Sequence, residues 1–423
     1  MQKILTAENG INIYGYRNPA LHGFFISLFF KGGSMYEREE EAGITHFLEH
    51  VLVRNVNKLY SAKLYEMLDR YGLEFNASTY AEMVQFYLCG ATKNFRYAAD
   101  AAAKLLSPIV LSKSETDAER RRIKAEIREN DDKNSMSAFA MSEVFGGTTL
   151  KNSITGTNKS VDKISARRLE VYRAKEFTKD NLFFLVTGNY SDEDLEHLTS
   201  LVGGYNLYEP SDEKKENIAP VPHNFANRGA KVAIKNGEYT AVRFNFDLDM
   251  RELQSPVIDL VYDNLFVGYN SPFFIKMSEE RGLFYDISGS TERYRNIGNL
   301  YFSFEVREKD IYDAVKCSVD ILRGFKQNLL SPDNCMKAGY TDNFGLLLDD
   351  LRELNFTLAY DGKIMGFDYG DIDERRAVYD KITTEEIRNA ARNIFTAHNL
   401  VLTVKGNKKR IDADRLREIC MQL

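Results

Sequence analysis

The sequence is poor in histidine and cysteine and contains no long apolar run, and each shortage excludes something. The four cysteines, Cys89, Cys317, Cys335 and Cys420, are scattered without metal-ligand spacing. A disulfide framework is therefore not expected, and a reducing, cytoplasmic compartment is. No stretch reaches the roughly eighteen consecutive apolar residues of a membrane-spanning helix. The opening residues Met1 to Glu8 lack the apolar segment of a signal peptide. A net charge of −6 gives no reason to expect a nucleic-acid partner. The rest is ordinary for a globular protein, with 43% hydrophobic and 28% charged residues. A chain of 423 residues is too long for one compact core, so two domains are expected.

Two of the six histidines, His46 and His50, stand four apart in His-Phe-Leu-Glu-His, a segment whose surroundings read as helical. On a helix they lie one turn apart on the same face, where both rings can reach one metal ion. Glu49 sits beside the second histidine, close enough to act as a base without being a ligand. The order is H-x-x-E-H, the reverse of the commoner H-E-x-x-H. A catalytic zinc needs a third protein ligand and an open position. Glu119 and Glu126 occur in Glu-Arg-Arg-Arg-Ile-Lys-Ala-Glu, a stretch of helix formers without Gly or Pro. Seven residues make nearly two turns, so both carboxylates share a face. Taken alone, the same stretch also reads as a solvated helix laced with salt bridges to Arg120, Arg121, Arg122, Lys124 and Arg128.

H-x-x-E-H followed by the second Glu of a Glu-x6-Glu pair resembles the M16 metallopeptidases, the family of pitrilysin, insulin-degrading enzyme and the mitochondrial processing peptidase. The resemblance spans essentially the whole chain. Gly32-Gly33-Ser34-Met35-Tyr36-Glu37, with Gly43 and Thr45, is similar to the family's glycine-rich approach to the zinc helix. Phe75-Asn76-Ala77-Ser78-Thr79, with Glu82 and Tyr87, is similar to its Asn-Ala-x-Thr strand along the cleft. Gly156-Thr157 and the run from Val161 to Asn189 resemble the end of its first domain. The resemblance implies one Zn2+ per chain, held by His46, His50 and Glu126. It makes Glu49 the general base and Glu119 a carboxylate holding the site in place. Asn76, Ala77 and Tyr285 would contact the substrate.

The chain also repeats itself. Asp162-Lys163-Ile164-Ser165 recurs as Asp380-Lys381-Ile382-Thr383, Asn181-Leu182 as Asn399-Leu400, and Gly188-Asn189 as Gly406-Asn407, all at one offset. The apolar runs Phe24 to Phe30 and Val242 to Leu248 share that offset. The reading is a duplication. It gives an N-terminal zinc-bearing catalytic domain at 1–208, a polar, proline-containing linker at 209–222 and a C-terminal metal-free domain at 223–423. Each is expected to be α+β, a largely antiparallel sheet with helices packed on one face. The family resemblance implies a half-clamshell. At the same offset His46, Glu49 and His50 fall opposite Asn264, Val267 and Gly268, so the second copy has lost the metal ligands.

In the family the C-terminal half usually carries an Arg and, seven residues later, a Tyr that contact the substrate. Here Tyr285 stands at the Tyr position and Ser278 at the Arg position. That departure points to a heterodimer in which a homologous M16-type subunit supplies the Arg/Tyr pair, with a homodimer as second choice. The expected activity is zinc-dependent endopeptidase cleavage of flexible, unstructured peptides inside a chamber, with a leader or precursor peptide among the candidates. The competing class is a non-catalytic structural or zinc-stabilised interaction subunit.

Overall fold

The computed structural model describes residues 2–129, 135–208, 228–284, 286–328, 345–367 and 372–423. The expected linker at 209–222 lies outside the described residues. Two compact units emerge, and neither is continuous in sequence. Unit 1 draws on the stretches 1–131, 152–219 and 344–372, and unit 2 on 132–151, 220–343 and 373–423.

Unit 1 is built on a six-stranded sheet in the order β1-β2-β6-β3-β5-β4. The strands are β1 (Gln2–Thr6), β2 (Asn12–Arg17), β3 (Gly23–Lys31), β4 (Glu74–Thr79), β5 (Met83–Ala91) and β6 (Leu182–Gly188). All pairings are antiparallel except β2 with β6. Period-two alternation in β3 decides which side chains meet the helices. Phe24, Ile26, Leu28 and Phe30 enter the main core together with Phe47, Leu48 and Leu52 of helix α1 (Ile44–Leu59). Helix α2 (Lys113–Glu129) packs beside α1 and adds Ile123 to that core. Its start is a reciprocal cap, with the Ser112 amide donating to Glu115 Oε2 at 2.8 Å and the Glu115 amide donating to Ser112 Oγ at 3.3 Å.

The other face of this sheet is buried as well, and its cover comes from far along the chain. Phe29, Met83, Phe183 and Leu185 pack with Phe356, Ala359, Tyr360 and Ile364. The helix Leu351–Thr357 is keyed in place by polar groups. Ser27 Oγ donates to Asn355 Oδ1 at 2.7 Å, Asn355 Nδ2 donates to the Leu185 carbonyl at 3.1 Å, and Thr187 Oγ1 donates to the Leu351 carbonyl at 3.0 Å. Asn355 is fully buried, so Asn355→Ala leaves the buried Ser27 hydroxyl without the acceptor of its proton, with only Gln85 Nε2 still donating to its oxygen at 3.2 Å. That variant is expected to lose about 1–3 kcal/mol of stability, measured by urea denaturation of the full chain.

Unit 2 repeats the plan with one strand fewer, in the order β7-β11-β8-β10-β9. Its strands are β7 (Lys231–Asn236), β8 (Ala241–Asp249), β9 (Ile287–Arg293), β10 (Ile297–Glu305) and β11 (Leu400–Gly406). Again one pairing, β7 with β11, is parallel and the rest are antiparallel. The helix Met136–Val144, from the first half of the sequence, packs on β8 and β11. Each unit thus takes a helix from the other half of the chain.

Strands β3 and β8, β6 and β11, and the helices Ala166–Glu176 and Thr384–Ile394 correspond residue for residue at the offset of 218. Both units are α+β with largely antiparallel sheets, as the repeat implies. The fixed offset fails at the helix after β8. That helix, Ser255–Phe266, begins sooner after its strand than α1 does after β3, so Val267 and Gly268 lie beyond its end. The shorter connection shifts the register, and the partners of Glu49 and His50 named by a constant offset are not topological equivalents.

Candidate metal centre

Helix α1 presents His46, Glu49, His50, Arg54 and Lys58 along one side, while Phe47, Leu48, Val51 and Leu52 face the core. Its N-terminus is fixed by Glu37, only 3% exposed. Glu37 accepts the Gly43 amide at 2.7 Å and the Thr45 amide at 2.9 Å. Two otherwise orphaned donors are satisfied, and burial raises the Glu37 pKa against the pull of these hydrogen bonds. Gly43 has φ +90°, and a Cβ there would meet the Thr155 carbonyl oxygen at 2.6 Å. The glycine-rich approach noted in the sequence is therefore a close backbone crossing plus a helix cap.

Helix α2 brings Glu126 to both histidines. Glu126 Oε2 lies 3.6 Å from His46 Nε2 and 3.5 Å from His50 Nε2. One ligand atom from each of the three residues lies within 4.8 Å of the others, and this is the one such group among the described residues. Ligands at about 2.0–2.1 Å from a tetrahedral ion stand roughly 3.3–3.4 Å apart, so the spacing suits zinc. Three electron-pair donors turned to one point also leave a place that a cation would satisfy. His46, His50 and Glu126 fit a metal.

Behind the donors stands Glu119, 1% exposed. Its Oε2 lies 3.4 Å from His50 Nδ1, and its Oε1 accepts Arg54 Nη1 at 2.5 Å. With the Nδ1 proton directed at Glu119, Nε2 is left free to bind metal. Burial pushes the Glu119 carboxyl up, but the His50 and Arg54 hydrogen bonds and the Arg122 charge hold it below the usual range. His50 is also disfavoured as a cation by burial. The Glu119 hydrogen bond and the fields of Glu49 and Glu126 outweigh that and raise its pKa. His46 is driven down to about 3 by burial and by His50.

Glu49 is 8% exposed and accepts the Thr79 hydroxyl at 2.6 Å. Burial raises its pKa against the pull of that hydrogen bond. Glu49 and His50 open into a cleft of about 420 Å³ that also includes Val53, Phe75, Asn76 and Ala77. Asn76 and Ala77 lie on β4, an edge strand that pairs only with β5 among the described residues. The structure therefore brings His46, Glu49, His50, Glu119 and Glu126 together, with Asn76 and Ala77 alongside. Tyr285 lies outside the described residues. Reading the sequence did not single out Arg54 or assign roles to Glu37 and Thr79. A carboxylate six residues ahead of a glycine N-cap was the available signal for Glu37.

Two family models cover most of the chain. "Insulinase (Peptidase family M16)" matches residues 17–158, and "Peptidase M16 inactive domain" matches residues 163–338. The chain belongs to the M16 peptidase family. Among curated relatives, the uncharacterized zinc protease YmxG of Bacillus subtilis is 22% identical over 403 residues, covering 94% of this chain and 96% of that protein. An uncharacterized zinc protease of Rickettsia bellii is 26% identical over 308 residues, covering 69% of this chain and 70% of its own length. Of solved structures, a protease from Helicobacter pylori superposes with TM-score 0.80 at 16% identity, over 96% of this chain and 99% of that one. The first half of the periplasmic protease PqqL from Escherichia coli superposes with TM-score 0.82 at 16% identity, over 99% and 95%.

Proposed function

We propose that this chain is a zinc endopeptidase acting on flexible, unstructured peptides. The observation that carries the reading is one partly buried group of two imidazoles and a carboxylate, with a second carboxylate beside it at the mouth of a cleft. His46, His50 and Glu126 hold the metal, and the H-x-x-E-H order makes Glu49 the general base. When bound, zinc polarises a scissile carbonyl and lowers the pKa of water. Glu49 takes the proton from the attacking water and delivers it to the leaving amine. Glu119 holds the His50 ring and its tautomer, and Arg54 holds Glu119. An extended peptide adds along the edge of β4 that is unpaired among the described residues, by main-chain hydrogen bonds that tolerate many sequences.

The same reading makes the chain the zinc-bearing subunit of a heterodimer that encloses its substrate. Support comes from Ser278, which stands where the family pattern carries Arg. A leader or precursor peptide suits such an enclosure, because only a flexible chain can enter it. The free cysteines Cys89, Cys317 and Cys420 suit a reducing compartment such as the cytoplasm.

The test is cleavage of a quenched, unstructured peptide by the zinc-loaded chain, alone and with any subunit that co-purifies from the native source. Chelation is expected to stop cleavage while circular dichroism stays native, and zinc is expected to restore it. A chain that unfolds on chelation and cleaves nothing in either form is instead a zinc-stabilised interaction subunit.

A further inference from the structure

We infer that Thr79 is the positioning residue for Glu49, and that the β4–β5 turn exists in its present form to hold the Thr79 hydroxyl in place. The inference rests on the peptidase reading for Glu49. Among the described residues, the Thr79 hydroxyl is the one hydrogen-bond donor to the Glu49 carboxylate. It engages Oε2 at 2.6 Å and leaves Oε1 as the oxygen available for proton transfer. A glutamate side chain has three rotatable bonds, and without a partner its carboxylate would sample several rotamers.

Thr79 is the last residue of β4, and the turn after it is clamped from two directions. From one side comes the glycine-rich segment. The Gly32 amide donates to the Glu82 carbonyl at 3.0 Å, the Ser34 amide to the Tyr80 carbonyl at 3.4 Å, and the Met35 amide to the Ala81 carbonyl at 3.0 Å. Gly33 approaches so closely that a Cβ would lie 2.4 Å from the Tyr80 oxygen, and its φ of +139° favours glycine. From the other side, the Tyr80 ring packs on Phe356 with centroids 5.4 Å apart. Phe356 belongs to the helix Leu351–Thr357, the segment that the C-terminal half contributes to unit 1. The orientation of the base therefore depends on residues distant in sequence that are not among the metal-ligand set.

The experiment compares Thr79→Val, which keeps the shape and removes the hydroxyl, with Thr79→Ser, which keeps the hydroxyl. Both are made in the full chain, loaded with zinc and assayed with any subunit that wild-type cleavage requires. Thr79→Val is expected to lower kcat roughly 10- to 100-fold, the scale of a misplaced catalytic group, with KM and zinc affinity unchanged. Thr79→Ser is expected to recover most of kcat. A Thr79→Val enzyme with wild-type kcat, or a Thr79→Ser enzyme as slow as Thr79→Val, overturns the inference. If wild type cleaves nothing, the peptidase reading fails, and crystal structures of the two variants decide the positioning claim. The Glu49 carboxylate should leave its rotamer in Thr79→Val and keep it in Thr79→Ser. An unmoved carboxylate in Thr79→Val sinks the idea.

Discussion

Glu49→Gln is expected to keep its zinc and lose peptide hydrolysis by at least the roughly 10²- to 10⁴-fold attributed to a general base. The substitution preserves volume, and the amide oxygen of Gln can still accept the Thr79 hydroxyl now 2.6 Å from Glu49 Oε2. Nothing in the metal-ligand set changes, because His46, His50 and Glu126 supply the three ligand atoms. What disappears is an oxygen that can take a proton. Burial works to raise the Glu49 pKa against the Thr79 hydrogen bond, and a base shifted toward neutrality can both accept a proton and return it. The effect should therefore fall on kcat far more than on KM. Metal content by atomic absorption, beside kcat/KM on a quenched peptide, checks both halves. A metal-loaded Glu49→Gln enzyme with normal turnover would remove Glu49 from the chemistry.

How much of this could be read from the chain depends on whether the information is local. His46 and His50 declare themselves by their spacing on a helix, and Glu119 and Glu126 by a shared face. Neither inference needs the tertiary fold beyond the meeting of two helices. The repeat was legible wherever connections kept their length, as for β3 with β8 and β6 with β11. It misled at the helix after β8, because a shorter link shifts every later pairing until another length change compensates. The exchange of helices between units leaves no local mark. The segment Leu351–Thr357 reads as a polar helix with a few apolar residues, and only the second face of the β3–β6 pair explains Asn355 and Phe356. Thr79 is similar. A threonine closing a strand is unremarkable until the turn beyond it is seen pinned against Gly33.

Glu126→Gln is expected to weaken zinc binding by more than the roughly 100-fold that marks the upper range for an outer partner, whereas Glu119→Gln should fall within about 10- to 100-fold. The difference follows from what each carboxylate faces. Glu126 Oε2 points at both Nε2 atoms, so its charge is part of the metal's own surroundings. Glu119 acts through the Nδ1 side of His50 and is itself held by Arg54. The pH dependence of binding separates them further. His46, driven down to about 3 by burial and by His50, has no proton to displace near neutrality. For His50, burial opposes the charge, but Glu119, Glu49 and Glu126 outweigh burial and hold its pKa above the ordinary 6.5. Below that raised pKa zinc must expel the His50 proton, so affinity should decline as the pH falls through it, with proton release per metal bound approaching one there rather than two. Glu119→Gln removes the carboxylate charge that helps raise His50, leaving only an amide oxygen to accept its Nδ1 proton, so the midpoint should move to lower pH even as the plateau affinity drops. Calorimetric titration with zinc in buffers of different ionisation enthalpy counts the protons directly, and a release of two would mean that His46 is charged in the metal-free protein.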